Sequence, residues 1–198
     1  SEYEEKNIPK GGLADIKKAL KTYKIQIKNV FTREPSLSGL YKYQLFLALK
    51  LMSTNTPFRN DLPGINVEKE KGNYLAKNKG GYKIVMTEFK NSRKVGPKEV
   101  VLNRANSMEM KRFLKYRDEL IDHAFLFSLK SGKPMTKSAF GQALIKLTSN
   151  LLNKKVGSRL IRVMFASENK EILAKADDVS NKMLHSKRRK QTRQYIRK

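Results

Sequence analysis

Apolar residues recur at Leu13, Ile16, Leu20, Tyr23 and Ile27, the three- and four-residue spacing by which an amphipathic helix presents one face to a core. A second helix is predicted through Tyr41, Leu45, Leu49 and Met52, with Ser36 or Ser38 to cap it and Thr56-Pro57 to end it. Phe58, Arg59, Asn60 and Asp61 follow as a loop. The period then shortens. β-favouring stretches at 65–67, 82–89 and 99–102 are separated by Gly72-Asn73, Gly80-Gly81 and Gly96-Pro97, which predicts a small antiparallel sheet. Helical spacing returns at Met110, Phe113, Leu114, Leu120 and Ile121, residues 124–127 read as a short strand, and Gly132-Lys133-Pro134 as a turn. Thr136 is placed to cap a helix with Phe140, Ala143, Leu144, Leu147 and Leu151 on one face, and shorter helical pieces run from Arg159 onwards. The first ten residues, polar and carrying Glu2, Glu4 and Glu5, are expected to form a flexible end. The fold class is therefore α+β, mostly helical, with one small antiparallel sheet inserted.

Composition narrows the function. Among 198 residues, 43 are basic and 18 acidic, a formal charge of +25 that suits nucleic acid or an anionic surface. No run of about eighteen apolar residues is present to span a bilayer, and no secretory leader is expected. The chain has no cysteine, which excludes disulfides, thiolate nucleophiles and zinc–thiolate sites. The last seventeen residues hold eight Lys or Arg and no carboxylate, together with His185 and Tyr195. Lys187, Arg188, Arg189, Lys190 and Arg193 in this run are candidate DNA-binding residues, because clustered cations neutralise backbone phosphates.

Several chemistries lack their parts. No Gly-x-x-x-x-Gly-Lys-Ser/Thr loop occurs to cradle a nucleotide. His123 and His185 stand far apart without cysteines, a poor basis for a zinc site. The acids are scattered, and the adjacent pair Asp177-Asp178 would point to different faces of a helix, so paired-metal phosphodiester cleavage is not expected. Cleavage without a metal needs a nucleophile, cations for the pentavalent phosphorane and an acid for the leaving oxygen. Candidates for all three occur in order: Arg59 after the second helix, Lys90 in an expected β-turn at 89–93, Arg159 and Arg162 at i, i+3 on one helical face, then His185 and Tyr195.

In that order the chain resembles the catalytic domain of the tyrosine recombinases, the integrase class of strand-exchange enzymes. The likeness spans residues 36–198. The family's Thr-Gly-Leu-Arg-x-x-Glu is matched by Thr56-Pro57-Phe58-Arg59-Asn60-Asp61-Leu62, and its hairpin lysine by Lys90, with Lys94 and Lys98 close by as other choices. Phe125-Leu126-Phe127 and Gly132-Lys133-Pro134-Met135-Thr136 resemble the strand and turn that follow. Arg159-Leu160-Ile161-Arg162 stands where the family has His-x-x-Arg, and Met183-Leu184-His185-Ser186 through Tyr195 resembles its Leu-Gly-His-Ser…Tyr. Three departures stand out. Arg159 replaces a histidine and can donate hydrogen bonds but not act as a base. Leu62 occupies the acid position, with Asp61 beside it. The gap from His185 to Tyr195 is one residue longer than usual.

The resemblance implies a DNA strand transferase that works through a 3′-phosphotyrosyl intermediate and needs no cofactor. Tyr195 would be the nucleophile, Arg59 and Arg162 the phosphate clamp, Arg159 and His185 further donors, and Lys90 the general acid. Residues 1–35 would then be a flexible end and a helix or linker, and 36–198 the catalytic domain. The expected partner is double-stranded DNA, with self-association on DNA and a weakly binding monomer alone, and with no membrane. The expected location is intracellular, at DNA, in the nucleus or cytoplasm of a host if the source is a virus or mobile element. Two other readings stay open: relaxation of DNA in the manner of a type IB topoisomerase, and a non-enzymatic basic protein that binds DNA or RNA.

Overall fold

The structure, a computed structural model, describes residues 1–172 and 174–175. Among the described residues, seven α-helices and three strands run in the order α1 (Glu2–Asn7), α2 (Leu13–Gln26), α3 (Leu37–Thr54), β1 (Tyr74–Asn78), β2 (Gly81–Met86), α4 (Ser92–Val95), β3 (Lys98–Val101), α5 (Arg104–Asp118), α6 (Lys137–Leu152) and α7 (Ser158–Glu168). No helix among the described residues is long and apolar enough to cross a membrane.

α3 is the axis of the core. Its run from Leu45 to Leu49 is apolar on every side, and such a helix must be covered all round. α2, α5, α6 and α7 pack against it, burying Ile16 and Leu20 of α2, Met110 and Phe113 of α5, Phe140 and Leu144 of α6, and Leu160 and Met164 of α7. Ser36 caps α3 through the Gly39 amide at 3.0 Å, and Thr136 caps α6 through Ala139 at 3.1 Å, both as the sequence predicts. Because Leu13, Ile16, Leu20 and Tyr23 belong to this same core, α2 is continuous with the rest of the fold.

Burial tunes two tyrosines inside it. The Tyr43 hydroxyl donates to Glu109 at 2.9 Å, and burial, then that carboxylate, push its pKa well up. Tyr23 donates to the Lys42 carbonyl at 3.2 Å and is pushed up to about 12, chiefly by burial and then by Tyr41. Both hydroxyls are committed to hydrogen bonds inside the core, which makes these rings packing groups.

The sheet is antiparallel in the order β1-β2-β3, but its members differ from the expected ones. Residues 74–78 were not expected to form a strand and become β1. The turn expected at Gly80-Gly81 lies one residue earlier, at Lys79-Gly80, with φ of 41° and 84°. Two successive positive φ values make the tight hairpin turn whose twist matches its strands, and Gly81 then pairs with Asn78 inside the ladder. Stretches 65–67 and 124–127 are not strands of this sheet, although Asn66 makes a single parallel bridge to Tyr74 of β1. They pair with each other through Val67 N to Ala124 O (2.8 Å) and Leu126 N to Ile65 O (2.9 Å), too briefly to form strands. The β2–β3 connection is also more than the expected β-turn. A turn closed by Ser92 N to Phe89 O at 2.9 Å leads into the one-turn helix α4.

The first ten residues are not a free end. Ser1 and Glu4 form a reciprocal capping box on α1. α1 is then strapped to the start of α7: the Tyr3 hydroxyl donates to the Lys155 carbonyl (3.1 Å), Lys154 Nζ to the Lys6 carbonyl (2.6 Å) and the Lys155 amide to Asn7 Oδ1 (2.9 Å). Farther on, Glu168 accepts from the Leu13 amide at 3.0 Å.

Arg117 is fully buried and holds the 123–125 turn by donating to the carbonyls of His123 and Phe125. His123 Nδ1 accepts from the Phe125 amide at 3.1 Å, so in the neutral ring Nε2 carries the proton and donates to Ser128 Oγ at 2.8 Å. Burial, then the Arg117 guanidinium, lower its pKa from 6.5, against weaker pulls from Asp122 and Glu68. A histidine whose folded pKa is depressed contributes stability that is present above the unfolded value and lost as pH falls through the folded one. An NMR titration, assigned with His123→Gln, should therefore give a midpoint below 6.5. Wild type should also lose more urea resistance than the variant as pH drops from 6.5 through that midpoint. A midpoint at or above 6.5 would contradict the assigned tautomer and its hydrogen bonds.

Candidate active site

The loop after α3 owes its shape to alternating anchors. Phe58 and Leu62 are buried, and Asp61, only 7% exposed, is held by Lys137 at the start of α6 through a 2.6 Å ion pair. Asp61 thus points at α6, which settles the direction of the acid next to Leu62. The Asn60 amide lies against Gly141 of α6, where a Cβ would come within 2.7 Å of Asn60 Nδ2. Glycine inside a helix costs about 1 kcal/mol relative to alanine, and here it makes room for this close approach. Asn60 Oδ1 is buried with no hydrogen-bond partner among the described residues. Between these anchors Arg59 is exposed and has no ion pair among the described residues.

An asparagine network that no local pattern foretold ties this loop to the sheet. Asn55 Oδ1 accepts from the Asn103 amide (2.8 Å) and Asn55 Nδ2 donates to the Val101 carbonyl (3.2 Å) at the end of β3. Asn106 Nδ2 donates to Thr54 Oγ1 at 3.0 Å and to Asn55 Oδ1 at 3.3 Å. The strand leaving the Lys90 hairpin is therefore bonded to the segment that carries Arg59. Asparagines of this kind look like turn residues in a sequence, and only their convergence across about fifty positions gives them meaning.

Lys90 is exposed in the turn between β2 and α4. The neighbouring choices divide: Lys94 is likewise exposed, whereas Lys98 lies in β3 with its ammonium 5.5 Å from the centre of the Phe89 ring. Arg159 and Arg162 fall on α7 as expected, three residues apart, with Leu160, Ile161 and Met164 fixing the helix in the core. Arg162 is half-buried. Arg159 is 71% exposed, yet its Nη2 donates to Glu4 Oε1 of α1 at 2.6 Å, a partner no local pattern foretold.

Arg59, Lys90, Arg159 and Arg162 thus belong to one packed unit, but no hydrogen bond or ion pair among the described residues joins Arg59, Lys90 and Arg159 to one another. His185, Tyr195 and the basic residues Lys187, Arg188, Arg189, Lys190 and Arg193 lie outside the described residues. A concavity of about 540 Å³ lined by Leu37, residues 118–123 and residues 131–134 contains none of the candidate residues. Among the described residues, no three His, Asp or Glu side chains are grouped so as to hold a metal ion. No protein-family model and no curated protein matches the chain.

Proposed function

We propose that the chain is the catalytic domain of a tyrosine-recombinase-like DNA strand transferase. Tyr195 gives up its phenol proton to solvent and attacks the scissile phosphate, a 3′-phosphotyrosyl ester forms as the bond to the 5′-oxygen breaks, and that oxygen departs with a proton from Lys90. Arg59 and Arg162 hold the non-bridging oxygens, and Arg159 and His185 add donors. The ester conserves the energy of the broken bond, so rejoining is the same reaction run backwards.

The observation that carries this reading is Arg59. The backbone that carries this guanidinium is fixed by buried anchors on a loop braced by both α6 and the sheet, while the side chain itself is exposed and has no ion pair among the described residues. A cation left uncommitted on a fixed loop suits charge that develops during phosphoryl transfer. One observation favours the rival reading of a non-enzymatic DNA-binding protein: Arg159 already has a carboxylate partner in Glu4, which a phosphate would have to displace.

A pool of nicked duplexes randomised around the nick tests the two. On such substrates cleavage releases a short strand and traps the covalent intermediate. The expected result is a protein–DNA adduct that survives denaturant and maps by peptide sequencing to Tyr195. Tight binding with no adduct favours the non-enzymatic reading, and an adduct on another tyrosine overturns the nucleophile.

A further inference from the structure

We propose that the solvent face of α2 is a second nucleic-acid surface, built to lie along the phosphate backbone of duplex DNA. Lys17, Lys21 and Lys24 recur at i, i+4 and i+7, which places them on one side of the helix, and Lys28 opens the 3-10 turn that follows. All four are exposed, and Lys18 flanks them. At 1.5 Å per residue the row is roughly 16 Å long.

The row combines this alignment with the lack of any counter-charge. Ion pairs elsewhere among the described residues engage Lys83 with Glu99, Lys50 with Glu109, Lys137 with Asp61, Arg117 with Asp118 and Arg159 with Glu4, and none of them reaches this face. Among the described residues Lys17, Lys18, Lys21 and Lys28 have no ion pair, and Lys24 has only the Phe46 ring, 5.9 Å from its ammonium. The one acid of α2, Asp15, is turned back onto the Gly11 amide at 2.9 Å. Like charges at these spacings repel, so the row weakens the free helix and is relieved only when a polyanion lies against it.

The surroundings choose among polyanions. A basic helix that rests on a membrane buries its apolar side in the lipid, but the apolar side of α2 (Leu13, Ile16, Leu20 and Tyr23) is committed to the protein core. Single strands are held by stacking bases on exposed aromatic rings; Tyr23 is buried, and Phe31 at the end of the 3-10 turn, though 40% exposed, has its ring packed edge-on against Tyr43 and Phe46. Lysines are point charges suited to phosphate contacts that carry no sequence information. A duplex backbone is what remains, and this surface does not depend on the chemistry proposed for Tyr195.

The test compares the full chain with a variant carrying Lys17→Gln, Lys21→Gln, Lys24→Gln and Lys28→Gln. A control of equal charge carries Lys10→Gln, Lys133→Gln, Lys146→Gln and Lys170→Gln. Binding to a non-specific duplex is followed by fluorescence anisotropy between 50 and 200 mM salt. Each phosphate contact contributes about 0.9 to the slope of log affinity against log salt. Loss of four contacts should lower that slope by about 3 to 4, so that wild type loses about 100-fold more affinity than the α2 variant over this range. The control should change far less, and the α2 variant should melt no lower than wild type because repulsion has been removed. An equal change in the control, or a larger loss on single strands or anionic vesicles than on duplex, overturns the proposal. Adduct formation on nicked DNA, measured in parallel, reports separately on the strand-transfer reading.

Discussion

Replacing Lys90 by alanine should slow strand cleavage about 10²- to 10⁴-fold, the usual span for loss of a general acid, without altering the melting temperature. The structural half of that expectation follows from the exposure of Lys90 and its position in a turn between β2 and α4, where the backbone bond from Ser92 to Phe89 defines the shape and the side chain plays no part in it. The chemical half is separable by changing the leaving group. A substrate with sulfur in place of the bridging 5′-oxygen departs as a thiolate and needs little protonation, so it should restore most of the rate lost in Lys90→Ala. Equal impairment on both substrates would remove the acid role from Lys90. If the sulfur substrate rescued Lys94→Ala instead, the acid would sit four residues further on, within the same hairpin tip. Lys98 is the weakest of the three, because its ammonium already lies over the Phe89 ring.

Arg59→Ala should cost about 10²- to 10³-fold in cleavage, the penalty for losing one preorganised donor, and the sulfur substrate should not rescue it. Affinity for DNA should fall far less, since many other cations share the phosphate contacts. Arg59→Lys is the informative companion. It keeps the charge but loses the planar fork, so partial activity is expected where bidentate contact matters. Because Phe58, Asp61 and Leu62 fix the loop independently of Arg59, both variants should retain the native fold. A parallel loss of binding and cleavage would make Arg59 a docking residue.

The parts that were legible in the sequence are those decided locally. α3 and α6 could be read because their apolar spacing and their caps at Ser36 and Thr136 act within a few residues. The sheet was legible as a sheet but not strand by strand. Residues 74–78 hold no β-branched side chain, and β1 exists because the turn at Lys79-Gly80 folds it back onto β2. Of the candidate site, the order of Arg59, Lys90, Arg159 and Arg162 was readable, and so was the loop that presents Arg59. The direction of Asp61, the asparagine brace and the Glu4–Arg159 pair were not, since each is decided by a partner 48 or more positions away. The expectation of a flexible first ten residues failed for the same reason: a polar segment looks unstructured until residues 154–159 are there to receive it.

That strap also bears on how the chain is made. α1 has six residues, too few to persist as a helix by itself. Its partners at Lys154, Lys155 and Arg159 lie 148 to 155 residues downstream. At ribosomal speeds of about 5–20 residues per second, the N-terminal segment waits on the order of 10 s before anything exists for it to grip. α2 and α3, which are neighbours in sequence, can pair early, whereas the first helix is among the last to find its place. The beginning of the chain therefore serves as the closing latch of the nascent domain, fastened only when the helix that carries Arg159 and Arg162 has emerged.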